Sequence, residues 1–542
     1  MWPRTEVPRA PPSTMIRSRQ SLAAHQISNA PPCGAIVRPA KHPNLQQGIS
    51  RQMMPRPALE RALCWTNRQS QQHRSTLLFE RFGLRMVEQI DPCSPITGRF
   101  SLDNPWLQTS VFDCRSIDAW GASSTYESGN KAMSGKPVAK RLVFHIGGYD
   151  PITSHASAQR RFVREIARFQ RTWSVKATVD GSHDSADQIQ WNVTTIGPDW
   201  LVETDYRLVR WHDVIEVFGG RSIGSRISVG ILAFLDFVLT GTLWRYLQTN
   251  WRYALFFLYP FVTFGLLIAA AFLIGVAAFK ITGSIPIATG GGLFGLAAVL
   301  AGPWRWLHLG DLFDDWIFSC EYIRFGNSEI EQRLDRLAAE LVVAASNSAA
   351  DEIVVVGHSL GAVLAVDLLD RALKRDPALG RKKIPVTFLS VGSSILKIGL
   401  HPKAVRFRRA VERVADSRAI FWGDYQALTD ALNFYKCRPM AEMGLSTENE
   451  AAVRVVKISR MLNDDMYQRI RFNFFRVHCQ FVSGNDRRTS YDYFMLTCGP
   501  ISAKSQTLAP DGAVSMIADD GGLVAGAPVS ESELLGNPGA AA

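Results

Sequence analysis

Tyr253 to Phe279 is a run of 27 residues without one charged side chain, and Ser284 to Trp304 is a second such run of 21. Crossing the hydrocarbon of a bilayer takes about 20 apolar residues. Buried core helices are usually shorter than either run. Only a short connection holding Lys280 and Gly283 separates them, so the sequence predicts a transmembrane hairpin. A third apolar stretch, Ile227 to Leu243, contains Asp236. A charge at mid-membrane costs about 2.5–3.5 kcal/mol, so this stretch is expected to lie in the interface, with Arg226 and Arg245 reaching head groups. Two crossings return the chain to its starting side, which lets the segments before and after the hairpin share one sheet. Arg221, Arg226, Arg245, Arg252 and Arg305 flank the outer ends, whereas the turn holds only Lys280. Positive charge tends to stay inside, so the bulk of the protein is expected to face the cytoplasm.

The formal charge of +11 is unevenly spread. Residues 1–132 carry 16 Lys and Arg against 9 Asp and Glu, and the rest of the chain is close to balance. No basic stripe with interleaved aromatics appears in the body of the chain, which argues against nucleic-acid binding. The eight cysteines show no C-x-x-C spacing, so neither a zinc site nor a secreted disulfide framework is expected. Residues 1–132 are rich in Pro, Ser, Gln and Arg and lack periodicity. We expect them to be disordered, and Met133 offers an alternative start just ahead of the first convincing strand.

That strand is Arg141-Leu-Val-Phe-His-Ile-Gly-Gly-Tyr-Asp150, a buried apolar run closing on paired glycines. An amphipathic helix over 156–172 follows, then strands at 189–196 and 201–210. Strands alternating with helices predict an α/β fold with a mostly parallel sheet covered on both faces. After the hairpin, the paired acids Asp314-Asp315 are expected on a solvated interfacial helix. A further helix opens at Asn327 or Ser328, with acids in its first turn.

The segment that carries chemistry is Asp351-Glu-Ile-Val-Val-Val-Gly-His-Ser-Leu-Gly-Ala. A bare G-x-S-x-G arises by chance in roughly one chain in five of this length. The context is what singles out Gly357-x-Ser359-x-Gly361. Four apolar residues, Ile353 to Val356, read as a buried parallel strand, and an apolar helix starts at Ala362. A serine on a sharp strand-to-helix turn needs small neighbours, because bulk on either side collides with the adjoining elements. The turn lifts the hydroxyl above the sheet and brings helix N-terminal amides toward a developing oxyanion.

Gly-His-Ser-Leu-Gly behind a Val-rich strand resembles the nucleophile elbow of lipases and thioesterases of the α/β-hydrolase superfamily. The likeness covers roughly 140–226 and 308–500, strong at the elbow and modest elsewhere. It implies an α/β-hydrolase sheet with the transmembrane hairpin inserted before the nucleophile strand, and a triad in the order Ser, acid, His. Two histidines follow the elbow helix. His401 comes too early for the last triad position, which leaves His478. Both Asp424 and Asp430 follow the strand expected from Arg418 to Trp422, and Asp430 is preferred because such hydrolases place the acid in this loop. The oxyanion donors implied are the amide of Leu360 and one from His145-Ile-Gly147-Gly148, with Gly148 or Tyr149 as the donor.

The expected organisation is therefore a disordered extension (1–132), a first part of the hydrolase domain (133–226), and a membrane insertion (227–307). A second part carrying the triad (308–501) and a disordered tail (502–542) complete it. The expected activity is a membrane-anchored serine hydrolase acting on a carboxylic ester or thioester of an acyl lipid, with no cofactor, metal or nucleic-acid partner. The same triad could instead run acyl transfer, or the domain could be an inactive membrane scaffold. The oligomeric state is left open.

Overall fold

The structure, a computed structural model, describes residues 137–149, 155–381 and 383–524. The disordered extension expected at 1–132 lies outside the described residues, as does the end of the expected tail.

Eight strands form one sheet: β1 (Lys140–Ile146), β2 (Lys176–Asp184), β3 (Gln188–Ile196), β4 (Leu201–Val209), β5 (Glu352–His358), β6 (Val386–Val391), β7 (Ile420–Ala427) and β8 (Ala452–Val456). Their spatial order is β2-β3-β4-β1-β5-β6-β7-β8. Pairing is parallel from β4 through β1 and on to β8, and antiparallel only at β2–β3 and β3–β4. This is the mostly parallel α/β sheet that the alternating pattern predicts.

The helices that matter below are α1 (His155–Trp173), α2 (His212–Gly219), α3 (Ile223–Leu239), α4 (Thr242–Thr249), α5 (Trp251–Thr282), α6 (Ile285–Ala301), α7 (Leu309–Arg324) and α8 (Ser328–Asn347). After β5 come α9 (Gly361–Arg375), α10 (Val405–Asp416), α11 (Asp464–Ile470), α12 (Phe474–Cys479), α13 (Tyr493–Cys498) and α14 (Ala503–Leu508).

β5 is buried along its whole length, and alternation along the strand explains why. Ile353 and Val355 join the core formed with Leu334 of α8, Val363 of α9 and Phe407 of α10. Val354 and Val356 face the opposite core, among Phe162 and Phe169 of α1 and Phe494 of α13. A central strand covered on both faces has no polar side to offer, hence its Ile-Val-Val-Val run. Asn327 starts α8 by accepting the Ile330 amide at 3.1 Å, with Glu329 and Glu331 in the first turn.

Two helices are long and apolar enough to cross a membrane: Trp251–Thr282, of 32 residues, and Ile285–Trp306, of 22. Asn250 caps α5, its side chain accepting from the amides of Arg252 and Tyr253. The pair packs through small residues. A Cβ on Gly275 would lie 2.9 Å from the Ala288 carbonyl oxygen, so the backbones touch there. The first half of α5 is tied to the rest of the protein: Tyr253, Ala254, Phe256 and Phe257 are buried against Trp316 of α7 and Phe434, and Phe261 and Phe264 touch Phe313 of α7. Farther along, Leu266, Phe272, Leu273 and Ile281 are exposed.

α2 and α3 meet at a 108° bend. One face of α3 is buried at Gly230, Ala233 and Phe237, while Ile231, Leu232 and Leu235 stay exposed. Asp236 is not left to the bilayer, because Arg324 and His401 both bind its carboxylate. The expectation of a solvated helix for Asp314-Asp315 is overturned. Asp314 is buried in a bidentate pair with Arg226, and Asp315 binds buried Lys397 at 2.5 Å. A buried carboxylate needs such a partner.

The expected disordered tail also needs correction over 502–524. Ser502 caps α14, and Ala503, Gln506, Thr507 and Ile517 are buried. What holds this segment is Arg141 on β1, fully buried, whose guanidinium bonds Glu352 of β5 and the carbonyls of Gly499 and Ile501. Glu352 in turn accepts the Ala503 amide. β2 and β8 are strands that the sequence pattern does not announce. Both are edge strands: β2 is polar with half-exposed or exposed side chains, and β8 is a short Ala-Val-Arg-Val-Val run buried only at Val456.

Candidate active site

The register puts the C-terminal ends of β1, β5 and β6 side by side, with Ile146 opposite Gly357 and His358 opposite Val391. Ser359 follows directly. Its φ of 56° is left-handed, a region that a serine adopts only under local constraint. The constraint is visible in its backbone bonds. The Ser359 amide donates to the Val391 carbonyl at 3.1 Å, and its carbonyl accepts from Ala362 and Ser394. α9 begins two residues later, with Leu360 as N-cap and no side chain bonded to the cap.

The flanking glycines are there because of contact distance. A Cβ on Gly361 would sit 2.1 Å from the Ile146 carbonyl oxygen, and one on Gly357 would sit 2.4 Å from Cα of Ala362. Neither position admits alanine without moving backbone. The loop after β1 closes on the serine from the other side: a Cβ on Gly148 would lie 2.8 Å from Ser359 Cβ and 3.4 Å from its Oγ. Trp211 holds this loop by donating from Nε1 to the Gly147 carbonyl at 3.0 Å, and the Tyr149 ring packs edge-on against the same Trp211. Gly148, Tyr149 and Leu360 are thus all gathered around Ser359.

His478 lies on α12 and is buried. Its Nδ1 is 2.7 Å from Asp430 Oδ2, and the other carboxylate oxygen of Asp430 accepts the Leu432 amide. Pairing with a carboxylate places the proton on Nδ1 and leaves the Nε2 lone pair available. Nε2 is buried and has no hydrogen-bond partner among the described residues. The ring's Cε1 lies against Gly392, at 3.0 Å from where a Cβ would stand. Gly392 immediately follows Val391, the residue that takes the Ser359 amide, so the imidazole and the serine both lie at the C-terminal end of β6, with no hydrogen bond between Ser359 Oγ and Nε2.

Asp424, the other acid considered, does not reach this site. It lies within β7, where its oxygens accept from Ser390 Oγ and from Gln426 Nε2, and burial pushes its carboxyl up to about 6. His401 is equally distant in role, bound to Asp236 and Thr240 beside α3.

No family model, curated protein or solved structure matches the chain. Function must be argued from the geometry.

Two further histidines belong to the site that motif reading leaves without a role. His358, inside the elbow, stacks on His478 with ring centroids 4.6 Å apart, and its Nε2 reaches the His478 carbonyl at 3.3 Å. Burial, helped by the neighbouring His478 and His145, holds its pKa well below the usual histidine value. His145, on β1, is bonded through Nδ1 to Tyr206 and also lies 3.1 Å from the Tyr493 hydroxyl, and burial lowers its pKa to about 3. Both rings are therefore neutral. A neutral floor beneath His478 adds no charge that would compete with an imidazolium formed there. Gly392 is the other residue missed, and its signal in sequence is faint: a glycine closing the strand run at Val391.

Proposed function

We propose that this chain is a membrane-anchored serine hydrolase of the α/β-hydrolase type that cleaves a carboxylic ester or thioester of an acyl lipid. One observation carries the reading: the buried Asp430–His478 pair, with an unpartnered Nε2, lies at the same strand ends as a serine held at φ 56° between a central parallel strand and a helix. An unpaired buried nitrogen costs about 1–3 kcal/mol, and on a ring already oriented by a carboxylate it is a lone pair free to accept a proton. A general base requires one.

In this mechanism Ser359 Oγ attacks the carbonyl carbon while His478 Nε2 takes its proton. Asp430 keeps the imidazole in the Nδ1–H form and stabilises the imidazolium. The tetrahedral oxyanion is met by the Leu360 amide and by an amide of the Gly148–Tyr149 loop. His478 then delivers the proton to the departing alkoxide or thiolate, leaving an acyl-serine. Water, deprotonated by the same nitrogen, attacks that acyl group and releases the acid, and Ser359 recovers its proton. The arginines around the outer ends of the hairpin support a cytoplasmic orientation of this site.

A fluorophosphonate probe tests the reading. The wild-type protein is expected to be labelled and Ser359→Ala to be unlabelled. A folded wild-type protein that takes no label overturns it.

A further inference from the structure

A groove of about 630 Å³ opens where α5 leaves the folded body. One wall is the first turns of α5, including Leu255, Phe256 and Tyr259. The opposite wall is Phe474 of α12 with Leu428, Thr429 and Ala431. Two arginines, Arg252 and Arg471, also line it, and no acidic residue is among its lining. An apolar trough carrying two cations and no anion suits a ligand with a hydrocarbon chain and a negative head.

Its position says where such a ligand comes from. Most side chains of α5 from Tyr253 to Pro260 are packed into the protein, Phe261 and Phe264 still touch Phe313, and most of those beyond are exposed, a pattern that fits a bilayer boundary just past Pro260. The 22 residues from Phe261 to Thr282 rise about 33 Å at 1.5 Å each, enough for the hydrocarbon core. The groove therefore straddles the head-group level. Exposed aromatic rings mark the same level and hold the cations: Arg252 lies over Trp251 at 5.6 Å, and Arg471 over Phe472 at 4.5 Å. Trp251 and Phe472 are among the most exposed aromatic residues described, as expected of rings that meet the membrane interface. Arg252 is further fixed by donating to the Leu428 carbonyl at 3.0 Å.

We propose that this groove seats an anionic phospholipid taken from the adjoining leaflet. The head-group phosphate rests between Arg252 and Arg471, and an acyl chain lies along Leu255, Phe256, Tyr259 and Phe474. Leu428, Thr429 and Ala431 bracket Asp430, and Phe474 is one helical turn before His478. Resting on the hydrolase reading above, this puts the lipid beside the two segments that carry Asp430 and His478, neither of which lines the groove itself.

The test uses the full chain carrying Ser359→Ala, so that bound lipid persists, in micelles of a neutral detergent. The probes are phosphatidylglycerol and phosphatidylcholine bearing the same photoactivatable acyl chain. Phosphatidylglycerol is expected to cross-link to peptides within 251–259 and 471–474 about tenfold more than phosphatidylcholine, because its head group is a net anion facing two cations whereas choline neutralises the same phosphate. Adding Arg252→Gln and Arg471→Gln is expected to erase the preference with an unchanged unfolding temperature, and the paired Lys substitutions to keep most of it. Equal labelling by the two lipids, labelling only elsewhere, or a preference that survives the Gln pair overturns the proposal. So does displacement by glycerol phosphate as effective as that by phosphatidylglycerol, which would assign the site to a soluble anion. Fluorophosphonate labelling of the otherwise wild-type chain is read separately. Its failure sinks the hydrolase reading while lipid capture in the groove still stands or falls by itself.

Discussion

β1 and β5 lie side by side, and their two ends are built on opposite principles. At the N-terminal end Arg141 and Glu352 are both buried, and every strong group there is answered: guanidinium by carboxylate and two carbonyls, carboxylate by an amide. At the C-terminal end, seven residues after Glu352, Ser359 is held in a left-handed conformation, and His478 and His145 each bury a ring nitrogen with no partner among the described residues. One end spends its polar groups on holding the C-terminal segment against the sheet. The other keeps them unspent. In open α/β sheets ligands gather at the carboxyl ends of the strands, and here the physical difference between the ends shows why. Chemistry needs lone pairs and strain that a stable interior would otherwise eliminate.

The comparison breaks most sharply through turnover. His478→Ala should lower kcat on an ester substrate by about 10⁴–10⁶-fold, while the part of the protein that stays folded keeps its sheet, although buried Asp430 loses its ring partner. A loss of folding in place of activity would mean that the C-terminal end is structural too. Next in size is Arg141→Ala. Removing one partner of a buried ion pair costs about 3–5 kcal/mol, so thermal or denaturant unfolding should shift strongly while the molecules still folded keep their reactivity toward fluorophosphonate. Activity lost in proportion beyond the unfolded fraction would merge the two ends.

The neutral histidines sharpen the contrast through pH. His145 has a folded pKa of about 3 against about 6.5 when unfolded. Between those values the unfolded chain binds the extra proton, so this residue's contribution to stability is lost as pH falls. The slope is about 1.4 kcal/mol per pH unit. Stability of the wild type measured relative to His145→Asn should therefore decline steadily below pH 6, and a flat difference would contradict a buried neutral ring. The smallest effect expected is a gain: Ser359→Gly relieves the positive φ and should stabilise the protein by about 1 kcal/mol, read by denaturant titration. Destabilisation would argue against strain stored at the elbow.

Much of this was legible from local pattern. The Val-rich run and its glycines mark β5 and the turn, and 48 residues separate Asp430 from a histidine that sequence order already nominated. What local pattern could not reach was decided by partners far along the chain. Asp314 and Asp315 look like a solvated pair because Arg226 and Lys397, 88 and 82 residues away, are invisible to a window of sequence. Residues 502–524 look unstructured for the same reason: their small and polar side chains are ordered by Arg141 and Glu352. Asp424 and Asp430 were separable only by direction, since an acid within β7 is committed to Ser390 and Gln426 before it can approach an imidazole. β2, at one edge, buries too little to show an alternating apolar pattern, and β8, at the other, is an apolar run of only five residues.

The central claim is that Ser359 is a nucleophile activated by His478. Peptide mass spectrometry of the full chain after brief exposure to a fluorophosphonate tests it most directly. The account predicts a single adduct on Ser359 in the wild type, formed far more slowly in His478→Ala and at the wild-type rate in folded Arg141→Ala. An adduct on another residue, or one whose rate ignores His478, would contradict it.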